Sequence, residues 1–232
     1  MKNSPRLNWA DLLFLPGTAI FFFSCIYSTL QVARTLEPKQ GEISAGYLQG
    51  RSFVDFASDP VQLIGLNGRL GVVNNLDVGV EHTFDVTADN ESDFKTAWGD
   101  VKWQLSNREN IPKKLTFSTG LMKGYAYDSD AKFHFTSLPL YFSLPANDRF
   151  TPTLMYRYEL ISDDLFPNSD SFDDPRHSLI VGIEYGLKPY DPAKWTTKLG
   201  FSAGYMNSLT GDPDGEDLLI LNFGLKFTSP SK

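Results

Sequence analysis

The feature that most constrains the fold is a strict alternation of large apolar residues with small or polar ones, repeated in short segments from Ile43 to Phe227. In the last segment the odd positions from 219 to 227 are Leu or Phe, and the even positions are Ile220, Asn222, Gly224 and Lys226. A period of two is that of a strand with two unlike faces. Because the second face is rich in Gly, Ser and isolated charges, the pattern predicts a transmembrane β-barrel with its apolar face outward and a small polar lumen.

The composition excludes several other classes of protein. The chain has 232 residues, of which 41% are hydrophobic, and a net charge of −7. The mean hydropathy is −0.24, and no apolar stretch after the amino terminus approaches the ~20 residues of a spanning helix. An acidic balance disfavours nucleic acid as a partner, because phosphates attract Lys and Arg. Cys25 is the single cysteine, so no intrachain disulfide can form.

The amino terminus has the layout of a secretory signal peptide over residues 1–24. Lys2 and Arg6 precede an apolar run at 12–23. The end of that run, Phe22-Phe23-Ser24-Cys25, resembles a bacterial lipoprotein cleavage box. The resemblance implies that Cys25 is diacylated and becomes the first mature residue; the alternative is an ordinary signal peptide with a bystander cysteine.

Residues 25–41 have no apolar period and contain Pro38 and Gly41, so we predict a lipidated linker there. Residues 42–228 are then an all-β domain, a single antiparallel up-and-down transmembrane barrel of about ten strands, and 229–232 are a tail. Pro139 and Pro152 fall inside strands and remove ladder donors, which predicts a bulge or a shifted register. The predicted strands are 43–51, 62–73, 76–87, 95–106, 114–127, 132–144, 150–161, 177–188, 195–206 and 218–228.

The connections between these strands alternate in character. One set is short or mildly basic, and the other is acidic. In outer-membrane barrels the periplasmic turns are short and the external loops longer. We therefore expect a bacterial outer-membrane location with the acidic loops external and both termini periplasmic. The acidic set contains Asp55, Asp59, Asp89, Glu91, Asp93, Asp128, Asp130, Asp163, Asp164, Asp170, Asp173, Asp174, Asp212, Asp214, Glu216 and Asp217.

With the apolar face outward, nine charged residues of both signs turn inward. Charges in a narrow lumen are costly unless they are paired, so the mixed set predicts a network of ion pairs. The alternative is that these residues form the exposed face of a soluble sheet. Aromatic residues near strand ends favour the membrane interpretation, because Tyr and Trp prefer the headgroup level. The predicted lumen network is Arg69, Asp77, Glu81, Asp100, Lys102, Arg157, Glu159, Glu184 and Lys198.

The sequence holds little sign of catalysis, and we predict neither a metal centre nor a cofactor. His82, His134 and His177 are not at metal-ligand spacing. Some outer-membrane lipid-A deacylases resemble a barrel with a His–Ser pair on its lipid-facing side. However, His177 and Ser178 are adjacent and must point to opposite faces of a strand. A lipid-modifying barrel enzyme would need a His close to a Ser or Glu on a neighbouring strand.

The loop at 212–217 offers weak calcium ligands in Asp212, Asp214 and Glu216. Ca²⁺ binds oxygen ligands at such alternating spacing, but the loop is too short for an EF-hand and a proline interrupts it. Solvated loop charge is the favoured interpretation.

From about Glu42 to Phe227 the chain resembles the small bacterial outer-membrane β-barrel proteins of the porin and surface-antigen type. The hairpin from Asn67 through Asn74-Asn75 to Glu81 looks like the second and third strands of such proteins, and 99–105 looks like the next strand. The strand ending at Phe227 resembles the carboxy-terminal signal that the barrel-assembly machinery recognises, although residues 228–232 follow it here.

The resemblance and the lipoprotein-like start together imply a non-enzymatic outer-membrane lipoprotein with a structural or surface-interaction role. A barrel of this strand number is largely filled by side chains, so it has at most a narrow pore. The expected partners are outer-membrane lipid, the barrel-assembly machinery and a possible external ligand of the acidic loops. The alternative is a lipid-tethered soluble periplasmic β-barrel that binds a small hydrophobic ligand as lipocalins do, marked by inward aromatics and an outward charged face.

Overall fold

The computed structural model describes residues 30–52, 60–87, 95–106, 115–127, 132–162, 174–189, 191, 193–208 and 218–231. Among these residues, no helix is long and apolar enough to cross a membrane. The strands are β1 (Gly41–Ser52), β2 (Val61–Val73), β3 (Leu76–Asp85), β4 (Lys95–Gln104), β5 (Thr116–Tyr127), β6 (Lys132–Ser143), β7 (Phe150–Ser162), β8 (Asp174–Gly186), β9 (Thr196–Ser208) and β10 (Leu218–Thr228).

The ten strands form a closed antiparallel barrel in which every strand pairs with its neighbours along the chain. The barrel closes where β1 pairs with β10, in a register that runs from Glu42 opposite Thr228 to Ser52 opposite Leu218. Closure leaves no sheet edge with unpaired backbone groups, which is the condition for a sheet to lie in a membrane. The predicted all-β, up-and-down barrel of about ten strands is confirmed.

Because the sheet is a meander, its connections gather at two opposite ends. We call the end that holds the connections 53–60, 86–94, 128–131, 163–173 and 209–217 the acidic-loop end. The opposite end, with the turn at Asn74-Asn75 and the connections 105–115, 144–149 and 187–195, also holds the start of β1 and the end of β10, and we call it the terminal end. Nearly all of the predicted acidic loop residues lie outside the described residues.

The two faces of the sheet differ as a transmembrane barrel requires. Large apolar side chains are exposed on the outer face, for example Val80 at 66% and Val181 at 55%. Charged side chains such as Asp77 and Arg157 point inward and are fully buried. A soluble barrel shows the reverse arrangement, so the apolar exterior identifies a transmembrane barrel. Exposed Trp103 and Trp195 lie at the terminal end, where an aromatic girdle is expected.

Both strand prolines are accommodated without a change of register. Across β5 and β6, Thr119 pairs with Leu140 and Met122 pairs with Ser137, so the register is the same on both sides of Pro139. Thr119 Oγ1 donates a hydrogen bond of 3.1 Å to Pro139 O. The irregularity in β2 lies instead between Gly71 and Val73, where the pairing with β3 shifts.

Candidate functional site: the filled lumen

Residues 30–40, which the sequence predicts to be a linker, lie inside the barrel, and we call them the luminal segment. Leu30, Ala33 and Leu36 are buried, each at 9% exposure or less. The segment's amides donate to side chains of the barrel wall: Ala33 N to Ser143 Oγ at 2.8 Å and Leu36 N to Asp77 Oδ2 at 3.2 Å. Since β3 and β6 lie on different sides of the lumen, the segment crosses it.

Two glycines make room for this crossing. Lys39 has a positive φ of 66° and turns the chain so that Lys39 N donates to Gly71 O at 2.7 Å. A Cβ atom at Gly71 would lie only 2.0 Å from Glu37 O. A Cβ atom at Gly182 would lie 2.8 Å from Leu30 Cδ1. Any side chain at position 71 would therefore push the luminal segment off the wall.

The first charge cluster, at the terminal end, consists of Arg69, Asp77, Asp100 and Lys102. Arg69 Nη2 pairs with Asp100 Oδ2 at 2.7 Å and also with Asp77. Lys102 Nζ lies 3.4 Å from Asp77 Oδ2. All four side chains are 4% exposed or less. Two positive and two negative charges thus balance in a buried site, which is the arrangement that makes buried charge tolerable.

This cluster also holds the luminal segment in place. Lys102 Nζ donates to Val32 O at 3.2 Å and to Arg34 O at 3.3 Å. Arg69 Nη1 donates to Gln31 Oε1 at 2.9 Å. Arg69 and Lys102, which were predicted to belong to a lumen ion-pair network, therefore also hydrogen-bond to the luminal segment. The sequence pattern did not indicate this second role.

A second cluster lies around Glu184. Lys198 Nζ is 2.6 Å from Glu184 Oε1, and Lys226 Nζ is 3.1 Å from Glu184 Oε2 and 3.9 Å from Glu42 Oε1. Neither Lys226 nor Glu42 was among the predicted network residues. Lys226 stands on the polar face of the last alternating segment, so its sequence position already carried the signal. Glu42 immediately precedes the predicted first strand.

The remaining predicted network residues are also inward. Arg157 Nε and Glu159 Oε1, two residues apart on β7, are 2.5 Å from each other and fully buried. Glu81 is buried and accepts from Asn67 Nδ2 at 3.4 Å. The structure thus places all nine predicted residues on the inner face.

Apolar residues fill other levels of the lumen. Towards the acidic-loop end, one cluster contains Leu48, Leu63, Ala126, Met206, Leu218 and Ile220. A second cluster joins the luminal segment to large inward side chains, namely Ala33, Trp98, Met122, Phe135, Tyr141, Met155 and Ile180. Sequence reasoning assigned the inner face to polar residues and missed these. The register that turns Asp100 and Lys102 inward also turns Trp98 inward, and this was the available signal.

The histidines lie elsewhere, on the outer face. His177 points outward while Ser178 is buried on the inner face, so these two residues do not meet. His134 on β6, however, stands opposite Ser162 on β7 in the strand register. Within the described ranges, no group of three His, Cys, Asp or Glu residues could hold a metal ion. Cys25 and the calcium candidates Asp212, Asp214 and Glu216 lie outside those ranges.

No family model and no curated protein matches the sequence. Solved structures do show similarity to the chain. OmpTdeltaL8, a loop L8 deletion mutant of the Vibrio cholerae outer membrane protein OmpT, is 10% identical over 81% of this chain, with a TM-score of 0.37. The match spans only 62% of that protein. Neisserial surface protein A is 11% identical over 83% of this chain and 96% of its own, with a TM-score of 0.34.

Ail, the attachment invasion locus protein of Yersinia pestis, is 10% identical over 82% of this chain and 99% of its own, with a TM-score of 0.28. These are small bacterial outer-membrane barrels, the kind of protein that the sequence resembles.

Proposed function

We propose that this chain is a bacterial outer-membrane barrel with a structural or surface-interaction role, and that its lumen is closed. The observation that carries the proposal is the luminal segment, whose backbone hydrogen-bonds to the wall at Ser143 and Asp77. Two apolar clusters fill further levels of the same lumen. A lumen filled with chain and side chains leaves the outer surface and the loops as the places where the protein acts.

The location and the loops complete this proposal. The acidic-loop end faces outward from the cell and offers acidic loops to an external partner, while both termini are periplasmic. Residues 1–24 are a signal peptide, and acylated Cys25 adds a lipid anchor to a barrel that the assembly machinery inserts. Since a peptide chain extends at most about 3.6 Å per residue, the five steps from Cys25 to Leu30 keep that anchor within about 18 Å of the luminal segment.

The soluble, lipocalin-like alternative requires a charged exterior and a cavity lined by aromatic residues. The exterior is instead apolar, with Leu66 at 52% and Leu121 at 52% exposure. The inward aromatic residues Trp98 and Phe135 pack in a cluster with Ala33 of the luminal segment. These observations favour the membrane-spanning barrel.

One observation favours a second candidate function, a lipid-modifying barrel enzyme. His134 and Ser162 face each other across β6 and β7, as a general base and a nucleophile would. The outward neighbours Tyr125, Thr136 and Leu160 bring no carboxylate to orient the imidazole. Ester hydrolysis of a phospholipid by the folded wild type, lost in Ser162→Ala, would establish this activity. Equal and negligible turnover in both proteins would dismiss it.

The experiment that tests the main proposal replaces residues 1–25 with an ordinary cleavable signal peptide and expresses the chain in a bacterium. We expect the unlipidated protein to remain in outer membranes after an alkaline carbonate wash. In planar bilayers the purified protein should give no conductance steps. Release by carbonate would contradict membrane insertion, whereas stable steps would contradict the closed lumen only.

A further inference from the structure

The outer face of the barrel is uneven in charge. In the half nearer the terminal end, the described strand positions that face outward are uncharged. In the half nearer the acidic-loop end, outward positions hold Arg51, Lys95, Lys123 and all three histidines. Every charged side chain that the structure describes at an outward strand position is therefore basic. A Lys or Arg on a lipid-facing surface is costly at mid-depth and cheap only near a polar interface.

A groove of about 830 Å³ lies on this face over β3, β4 and β5. Ala97 and Gly99 form its base, because they are the small outward residues of β4. Ala97 pairs with His82 on one side and Tyr125 on the other; Gly99 pairs with Val80 and Lys123. The two flanking strands are about 10 Å apart, twice the spacing between neighbouring strands. We call this groove the β4 slot.

The β4 slot is polar at one end and apolar along the rest of its length. Lys95 lies two residues beyond Ala97 on the same face, towards the acidic-loop end. In the other direction the groove continues over Gly68 to Ile43 and Phe227. The slot thus matches a lipid whose polar head lies towards the acidic-loop end and whose apolar tail lies towards the terminal end.

His82 adds a third nitrogen group to the polar end. Its Nδ1 is 2.5 Å from Thr96 O, and since a carbonyl oxygen only accepts, Nδ1 is the donor. His82 itself lines the groove beside Ala97, its partner across β3 and β4.

We propose that the β4 slot binds an anionic membrane lipid through its phosphate. Its acyl chain lies over Ala97, Gly99 and Gly68, and its phosphate contacts Lys95 and Lys123. Charge complementarity selects an anionic lipid, because the charged side chains that the structure describes at outward strand positions of this half are basic. The inference rests on the membrane insertion proposed above and adds to it a defined lipid site.

The test uses the purified full chain in a non-ionic detergent, titrated with dioleoyl phosphatidic acid, with bound lipid counted by native mass spectrometry. The variant Lys95→Gln/Lys123→Gln removes the charges. The variant Gly99→Leu fills the slot from the outside, where a Cβ atom meets nothing closer than Gly79 O at 3.6 Å. Arg51→Gln is the matched control, since it removes one outward charge of the same half outside the slot.

We expect affinity to fall by about tenfold or more in the double variant, since each basic residue near an anionic lipid contributes several-fold in binding. Gly99→Leu should weaken binding similarly, and Arg51→Gln should not. Dioleoyl phosphatidylcholine should bind the wild type and the double variant equally weakly. Equal affinity of all variants for phosphatidic acid would overturn the site. Retention of each variant in carbonate-washed membranes shows separately that insertion is intact.

Discussion

Arg69 and Gln31 join the luminal segment to the barrel wall: Arg69 Nη1 donates to Gln31 Oε1 at 2.9 Å. Both residues are buried, at 5% and 2% exposure. The same guanidinium neutralises Asp77 and Asp100 on the two following strands. One side chain therefore couples closure of the lumen to the stability of three neighbouring strands.

Replacing this side chain should destabilise the barrel strongly. Arg69→Met leaves two buried carboxylates with Lys102 as the remaining cation of the cluster. Breaking a buried pair by removing one partner costs about 3–5 kcal/mol. Urea unfolding in detergent micelles, followed by tryptophan fluorescence, measures the loss. Arg51→Met, an outward residue at the rim, should change the free energy of unfolding by about 0.5 kcal/mol or less. Equal losses of unfolding free energy in the two variants would show that the charge cluster does not stabilise the barrel.

Adding a side chain at position 71 should expel the luminal segment. A Cβ atom there would meet Glu37 O at 2.0 Å, so Gly71→Val cannot keep the native contact between Gly71 and Lys39. We expect trypsin to cleave the folded variant after Arg34 or Lys39 at least about tenfold faster than wild type, because cleavage follows local opening. Gly99→Val, whose added atoms point outward, is the control and should be as resistant as wild type. Unchanged resistance of Gly71→Val would contradict the placement of the segment.

The second charge cluster offers a comparison between a buried and an exposed acid. Glu184 is 3% exposed and faces Lys198 and Lys226, so Glu184→Gln leaves two lysines poorly neutralised and should cost about 3 kcal/mol. Asp191 is exposed; its hydrogen bond with Lys194 lowers the pKa of the carboxyl, yet exposed pairs contribute little. Asp191→Asn should leave the free energy of unfolding nearly unchanged. A larger loss of unfolding free energy in Asp191→Asn than in Glu184→Gln would contradict the prediction that the buried acid contributes more to stability than the exposed one.

The orientation of the barrel predicts which loops intact cells display. A short epitope inserted within 163–173 should be reached by antibody on whole cells. The same epitope inserted between Lys188 and Pro189, at the terminal end, should be reached only after the outer membrane is permeabilised. Immunofluorescence of both strains, with carbonate-washed membranes as a check on insertion, decides the matter. The opposite labelling pattern would place the acidic loops in the periplasm.

Much of the wall could be predicted from local pattern. The segment 218–228 was predicted with the bounds that β10 has, because its alternation is unbroken from Leu219 to Phe227. The strand before it was displaced by one or two residues at its ends, where the alternation fades into Trp195 and Asn207. The faces followed directly: once Leu221 is outward, Asn222 and Lys226 must be inward.

The candidate site could be predicted only in part. The sequence places Arg69, Asp77 and Asp100 on the inner face, since the apolar residue next to each of them in the chain points outward. It does not say that Arg69 reaches Gln31, because Gln31 belongs to a segment without period. The inward positions of Trp98 and Tyr141 were missed for a related reason. Within a single strand, a large residue on the inner face breaks the expected alternation of large outward residues with small or polar inward ones.

The sequence by itself determined that the chain forms strands with one apolar and one polar face, because a period of two is a property of residues that are neighbours in the chain. Only the tertiary structure decided the register in which β1 pairs with β10, and that residues 30–40 occupy the space that the strands enclose. Those contacts join positions as far apart as Ala33 and Ser143, separated by 110 residues. Such contacts depend on the shape of the closed lumen, and the lumen has a shape only once all ten strands are paired.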